Sequence, residues 1–136
     1  MPAVEIGESL CALYQQLNHR EFVHPDPLEF LYSYHDLHDR EIVGLVAACL
    51  AYGNVRQILK SVSSVLEKMS EPSRFLKKAS MASLSVTFSD FKHRFTTGKE
   101  LATMLYGVKK TVERYGSLQE CFLLGLRPDH ETVVPA

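Results

Sequence analysis

The segment from Asp39 to Tyr52 carries apolar side chains on nearly every side of a helix, and this feature constrains the fold most. A helix without a polar face is normally buried at the centre of its domain. The sequence therefore predicts an all-α fold, a compact multi-helix domain around a buried central helix at about residues 39–52. The apolar residues of this helix, all predicted to lie in the core, are Ile42, Val43, Leu45, Val46, Cys49 and Leu50.

A tight turn is predicted where this helix ends. Gly53 suits the left-handed backbone position that commonly follows a helix. Asn54 can cap the next helix, with Gln57 at the third position of that helix. We therefore expect a sharp helix–turn–helix at Tyr52-Gly53-Asn54.

Capping residues and chain breaks mark further helices on both sides. A first helix over residues 5–18 has its apolar side chains at helical spacing. Asp26 can cap a short aromatic helix, with Pro27 in its first turn and Glu29 completing a capping box. Later helices are predicted from Val55 to the break at Pro72, over residues 73–78, from the capping box Thr97-Gly98-Lys99-Glu100 to Tyr115, and from Ser117 to Leu124.

Two stretches are less regular. Ala79–Phe95 fits either a helical or a strand period, but no partner strand is evident, so we predict helix and loop. Asp129 is predicted to cap the start of one more helix, after which the chain stops at Ala136. This ending indicates that residues 1–136 are a single helical domain and the N-terminal fragment of a larger helical fold. Apolar surface left uncovered by the missing part is expected to cause self-association.

Composition is typical of a globular chain. The chain has 136 residues, of which 46% are hydrophobic and 23% charged. A chain of this length and hydrophobic content can bury a core. No apolar stretch is long enough to cross a bilayer, and no basic-then-apolar leader follows Met1. Cys11, Cys49 and Cys121 are few and far apart, a pattern that favours reduced thiols over a disulfide framework. The sequence therefore predicts a cytoplasmic protein with no membrane partner.

Charge is unevenly distributed along the chain. Residues 1–55 hold two basic and eight acidic residues, a net charge of −6. Residues 56–114 hold twelve basic and five acidic residues, a net charge of +7. Such an asymmetry is typical of a surface that binds a polyanion, although solvated helix faces are the simpler interpretation.

Catalytic and metal-binding patterns are weak. His35 and His38 lie among acidic residues at a spacing that could place two ligands on one helical face. Their carboxylate neighbours suit helix caps, so we predict a solvated turn rather than a metal site. Gly98-Lys99 lacks the first glycine of a phosphate-binding loop. The prediction is no catalytic residue, no metal and no cofactor in this chain, and it leaves open whether the protein is an enzyme.

Basic residues alternate with aromatic ones from Phe91 to Lys99, directly before a helix N-terminus. Backbone amides at such an end attract anions. Further basic residues recur at helical spacing on the long helix that follows. The alternative is that Phe91 and Phe95 are core residues with exposed neighbours. Candidate nucleic-acid-binding residues are Asn54, Arg56, Lys60, Lys92, His93, Arg94, Lys99, Lys110 and Arg114.

Four segments resemble a family of uncharacterised bacterial proteins, whose members are longer than this chain. They are Phe22–Tyr32, Asp39–Leu45, Leu50–Val55 and Phe91–Phe95. That family is distantly similar to the helix-hairpin-helix DNA glycosylase superfamily. In the superfamily an early apolar helix ends in a tight turn, as the segment Leu45–Gln57 does here.

The resemblance implies a module that associates with DNA or RNA, as the N-terminal part of a glycosylase-like protein. The superfamily's DNA-gripping hairpin and its catalytic lysine and aspartate match no residue of this chain, so no catalytic role follows. The alternative is a protein–protein interaction or scaffolding domain. In that case the basic face meets an acidic partner, such as the chain's own residues 1–55.

Overall fold

Helices form most of the structure, a computed structural model that describes residues 3–134, with side chains from residue 5 onward. Two 3-10 segments, Arg20–Phe22 and Pro27–Ser33, precede the main body. The other elements are α1 (Ala3–Leu17), α2 (Leu37–Leu50), α3 (Val55–Met69), α4 (Pro72–Lys78), α5 (Met81–Thr87), β1 (Lys92–His93), β2 (Thr96–Thr97), α6 (Gly98–Tyr115) and α7 (Leu118–Gly125). The predicted all-α fold is confirmed.

Helix α2 lies at the centre, as predicted. It packs against the 3-10 helix Pro27–Ser33, α3, α4 and α7, and it buries Ile42, Val43, Val46 and Leu50. The prediction that Cys49 is a core residue is wrong. The neighbours of α2 leave one side of its last turn uncovered, so that Cys49 is exposed.

Acidic residues of α2 fix the starts of two other helices. Asp39 Oδ1 accepts a hydrogen bond of 2.7 Å from the Ser73 amide in the first turn of α4. The Glu41 carboxylate accepts from the first two amides of α7, at 3.1 and 3.2 Å. Each carboxylate therefore caps a helix N-terminus from outside that helix, where the helix dipole favours negative charge. These charges of residues 1–55 bind backbone amides rather than the basic face.

The predicted cap at Asp26 is confirmed, since its side chain accepts from the Leu28 amide at 2.8 Å, with Pro27 at the first position. The predicted capping box with Glu29 is wrong. Its Oε2 lies 2.6 Å from Nδ1 of His24 instead. The Glu29 carboxylate therefore contacts His24 in place of the Asp26 amide.

Helix α6 begins where the sequence predicts. The Thr97 amide donates to Glu100 Oε2 at 2.6 Å, which confirms the capping box. Gly98 is buried, and a Cβ at this position would lie 1.8 Å from the backbone oxygen of Phe88. Only glycine allows this close approach. The start of α6 is therefore held directly against the end of α5.

The stretch Ala79–Phe95 is mostly helix and loop, but the prediction that it lacks a partner strand is wrong. Lys92 and His93 pair antiparallel with Thr97 and Thr96. Strands of two residues are too short to give a readable period, which is why the sequence did not reveal them.

The further helix predicted at Asp129 is absent from residues 126–134, which form turns. The Asp129 carboxylate instead accepts two hydrogen bonds from the Arg127 guanidinium, at 3.0 and 2.8 Å. Pro135 and Ala136 lie outside the described residues.

Helix α1 carries its apolar stripe on exposed surface. Between 45% and 60% of each of the four aliphatic side chains predicted to share one face is accessible: Ile6, Leu10, Leu13 and Leu17. No helix within residues 3–134 combines the length and apolar character needed to span a membrane.

Candidate nucleic-acid interface

A two-residue loop, Arg94-Phe95, joins β1 to β2, because His93 pairs with Thr96 across the ladder. Arg94 has a backbone φ of +50°. Glycine is favoured at such a position, and other residues adopt left-handed backbone at a cost of roughly 1–2 kcal/mol. The loop therefore carries an arginine where the backbone alone would favour glycine.

His93 anchors this hairpin to the core. Its ring is 1% exposed, with Nδ1 2.8 Å from Ser61 Oγ and Nε2 3.1 Å from the Tyr52 carbonyl oxygen. A carbonyl only accepts, so Nε2 donates to it, and in a neutral ring Nδ1 accepts from the Ser61 hydroxyl. The candidate residue His93 therefore offers no free ring nitrogen to a nucleic acid, since both are engaged inside the protein.

Tyr52 joins the α2–α3 turn to the same hairpin. Its hydroxyl donates to the His93 carbonyl at 2.9 Å, and it lies 2.6 Å from Thr96 Oγ1, from which it accepts. Next to it, Gly53 has a φ of +102°, which confirms the predicted tight turn. A Cβ on Gly53 would lie 2.8 Å from Cδ and Nη1 of Arg94. The missing side chain thus makes room for the Arg94 side chain over the turn.

Phe95 projects from the hairpin into solvent, with 81% of its surface exposed. Its ring is parallel to that of Tyr52, with 4° between the planes and 6.5 Å between the centroids. The Arg94 guanidinium carbon lies 5.5 Å from the Phe95 centroid. The alternative that Phe95 is a core residue is therefore wrong, whereas Phe91 does pack partly against the core. Sequence reasoning did not include Phe95 among the candidate residues.

A polar cleft of about 280 Å³ lies beside the hairpin. One wall is a face of α3 at helical spacing, and the other is the segment that leads into β1. Lys60 lies on the first wall and Lys92 on the second. The residues that line it are Gln57, Lys60, Ser61, Ser64, Lys68, Phe88, Asp90, Phe91 and Lys92.

The carboxylate of this cleft is already engaged. Lys68 Nζ donates to Asp90 Oδ1 at 2.7 Å and to the Thr87 carbonyl at 2.9 Å. The hydrogen bond from Lys68 holds the pKa of Asp90 below its usual range. Asp90 thus stays ionised and offsets Lys68, while Lys60 and Lys92 have no ion-pair partner within residues 5–134.

The turn contributes two more candidates. Asn54 Oδ1 accepts from the Arg56 amide at 3.0 Å, which confirms its predicted role as a helix cap. Arg56 itself is exposed in the first turn of α3. We define the hairpin surface as the exposed side chains grouped around the hairpin and this turn: Arg56, Lys60, Lys92, Arg94, Phe95 and Lys99.

The remaining candidates lie elsewhere on α6. Lys110 is eleven residues beyond Lys99, a rise of about 16 Å along the helix. Its Nζ donates to Glu113 at 2.8 Å, and this hydrogen bond raises the pKa of Lys110. The Arg114 guanidinium lies 5.1 Å from the ring centroid of Tyr115. Lys110 and Arg114 are therefore separate from the hairpin surface.

The residues around His35 are structural caps. The Asp36 carboxylate accepts from the Asp39 amide at 3.0 Å, and Asp39 caps α4. Within the part of the chain that is described, no group of three or more His, Cys, Asp or Glu side chains is arranged to hold a metal ion.

A family described as "Protein of unknown function (DUF2400)" matches residues 26–136. The chain belongs to this family. The match includes the whole hairpin surface, whereas α1 lies before it. No curated protein and no solved structure matches the chain.

Proposed function

We propose that this DUF2400 chain is a nucleic-acid-associated module that contacts the phosphate backbone through the hairpin surface. The observation that carries the proposal is the grouping of exposed cations around a hairpin whose tip bears an exposed aromatic ring. Residues 52–64 and 88–100 hold five basic residues and two acidic ones. Both carboxylates are engaged, Asp90 by Lys68 and Glu100 by Thr97. The exposed charge of this region is thus positive and able to bind phosphates.

Fluorescence anisotropy of the full chain with a labelled oligonucleotide tests the proposal. Four phosphate contacts on a single strand would weaken binding about 50-fold between about 50 mM and 200 mM salt. Absence of binding at the lower salt concentration, or binding that does not respond to salt, would contradict it. An acidic polypeptide of similar charge serves as a competitor, because a protein-binding basic face would prefer it to the oligonucleotide.

A second candidate function, protein–protein interaction, is favoured by the exposed stripe on α1. Apolar side chains at positions 6, 10, 13 and 17 share one face of this helix, and the helix lies outside the family match. Light scattering across a range of concentrations tests this, with the double substitution Leu10→Gln and Leu13→Gln as the variant. If α1 mediates association, the average molar mass of the wild-type protein rises with concentration, whereas the variant stays monomeric.

A further inference from the structure

Phe95 is the most exposed aromatic side chain within residues 5–134. An exposed phenylalanine ring contributes little to the stability of the fold, because apolar surface stabilises a protein only when it is removed from water. The loop also holds it there against a backbone preference, with the preceding residue Arg94 at a φ of +50°. Unfavourable local geometry that the surrounding structure maintains is a feature typical of functional sites.

The ring lies beside an aromatic side chain that is itself fixed. Tyr52, whose ring is parallel to that of Phe95, makes an edge contact with the buried His93 ring at 4.7 Å between centroids. The Tyr52 hydroxyl is fixed to the hairpin backbone at 2.9 Å. Phe95 thus lies in a two-residue loop at the tip of the hairpin, beside this fixed tyrosine ring. A planar ligand that stacks on it therefore meets a preorganised surface.

The surroundings of Phe95 favour a nucleobase over an apolar protein segment. Its neighbours in the hairpin are Lys92, Arg94, Thr96 and Thr97, so the ring is a single apolar group among polar ones. An apolar protein partner requires a wider apolar patch than one ring supplies. A nucleotide presents a flat base and a phosphate together, which matches an aromatic ring flanked by cations.

We propose that Phe95 is a stacking platform for one unpaired base, so that the hairpin surface prefers single-stranded or locally unpaired nucleic acid to intact duplex. The inference rests on the proposed function of the hairpin surface and adds the class of nucleic acid. In a duplex both faces of each base are covered by its neighbours, whereas a single strand can place an exposed base face on the ring.

A tryptophan at position 95 gives a direct readout. The chain has no tryptophan, so Phe95→Trp creates a single emitter at the hairpin tip. We expect its fluorescence to be quenched by a single-stranded oligonucleotide, and much less by a strand of the same length with abasic sites throughout. Leu37→Trp is the matched control: Leu37 is 68% exposed at the opposite end of α2 from Tyr52, about 20 Å along the helix. Its emission should not change.

Affinity measurements on Phe95→Ala separate this inference from the proposed function. Loss of one stacked base should weaken single-strand binding about tenfold, while binding to duplex and to the abasic strand stays within about twofold of wild type. Phe95→Tyr should retain wild-type affinity. Because Phe95 is exposed, thermal unfolding of all three variants should match wild type.

Three outcomes distinguish the stacking platform from the proposed function. Selective loss of single-strand affinity in Phe95→Ala supports the platform. Salt-sensitive binding that is equal in wild type and Phe95→Ala overturns the platform and leaves the proposed function intact. Absence of salt-sensitive binding in the wild type overturns the proposed function itself.

Discussion

The C-terminal half of α6 and the hairpin surface are both rich in basic residues, but they differ in where their carboxylates lie. In the C-terminal half of α6, Glu113 lies 2.8 Å from Lys110 and 3.5 Å from Lys109. Lys109 Nζ also donates to the backbone oxygens of Lys77 and Ala79, where it satisfies the end of α4. Cations of the hairpin surface are instead exposed around the hairpin, and the nearby Asp90 is bound by Lys68. A count of basic residues does not distinguish these regions, whereas the location of each carboxylate does.

The largest expected effect is on stability and concerns the start of α6, which adjoins the hairpin surface. Gly98→Ala places a Cβ 1.8 Å from the Phe88 backbone oxygen, so α6 must move away from the end of α5. We expect the free energy of unfolding to fall by about 3 kcal/mol or more, measured by urea denaturation. Gly107→Ala is the matched control on the same helix, because nothing lies within 4 Å of its Cβ. It should raise the free energy of unfolding by about 0.5–1 kcal/mol. Equal stability of the two variants would contradict the observed packing.

The second prediction compares the two basic regions directly. The triple variant Lys60→Ala, Lys92→Ala and Arg94→Ala should lose about 10²-fold in single-strand affinity at about 0.1 M salt, since each phosphate contact contributes about fivefold there. The control pair Lys110→Ala and Arg114→Ala should change affinity by about twofold or less. Anisotropy titrations measure both. A larger loss of affinity in the α6 pair would contradict the proposal and place the site on α6.

Arg94→Gly separates the charge of the loop from its backbone conformation. Glycine relieves the cost of the positive φ, so we expect the free energy of unfolding to stay constant or rise by about 1 kcal/mol. Single-strand affinity should nevertheless fall about fivefold, because one cation is lost. Thermal unfolding and anisotropy on the same preparation test this. Parallel changes in stability and affinity would show that the arginine serves the fold rather than binding.

The smallest effect concerns α6 alone. Glu113→Gln frees Lys110 and should raise oligonucleotide affinity by about twofold at most. Glu71→Gln is the control, because Glu71 forms a comparable i,i+3 pair with Arg74 on α4. Because Lys110 lies outside the hairpin surface, the two variants should gain equally through their change in net charge, and a larger gain in Glu113→Gln would contradict this location.

Local features of the fold could be predicted from the sequence. The apolar helix α2, the turn at Gly53 and the capping box of α6 each depend on residues within a few positions of one another, and all three are confirmed. The contacts that bury His93, by contrast, involve partners that are distant in sequence. His93 is taken out of the interface by Ser61, 32 residues away, and by Tyr52, 41 residues away.

The candidate site was predicted in part. Interleaved basic and aromatic residues located the segment around residues 91–99, but the sequence did not separate inward from outward side chains. His93 and Phe95 are two residues apart, and in an extended strand they would share one face. The positive φ at Arg94 breaks this alternation, so that His93 is buried and Phe95 exposed. Alternation alone could not have revealed this difference.

Residue-resolved NMR during titration with a single-stranded oligonucleotide tests most directly whether the hairpin surface binds nucleic acid. At 15.4 kDa the chain is suited to amide spectra. We predict salt-sensitive shifts at Gly53, Arg56 and Lys60 and across residues 92–99, with amides 107–115 unchanged. Shifts confined to residues 107–115, or no localised shifts at low salt, would contradict the proposed interface.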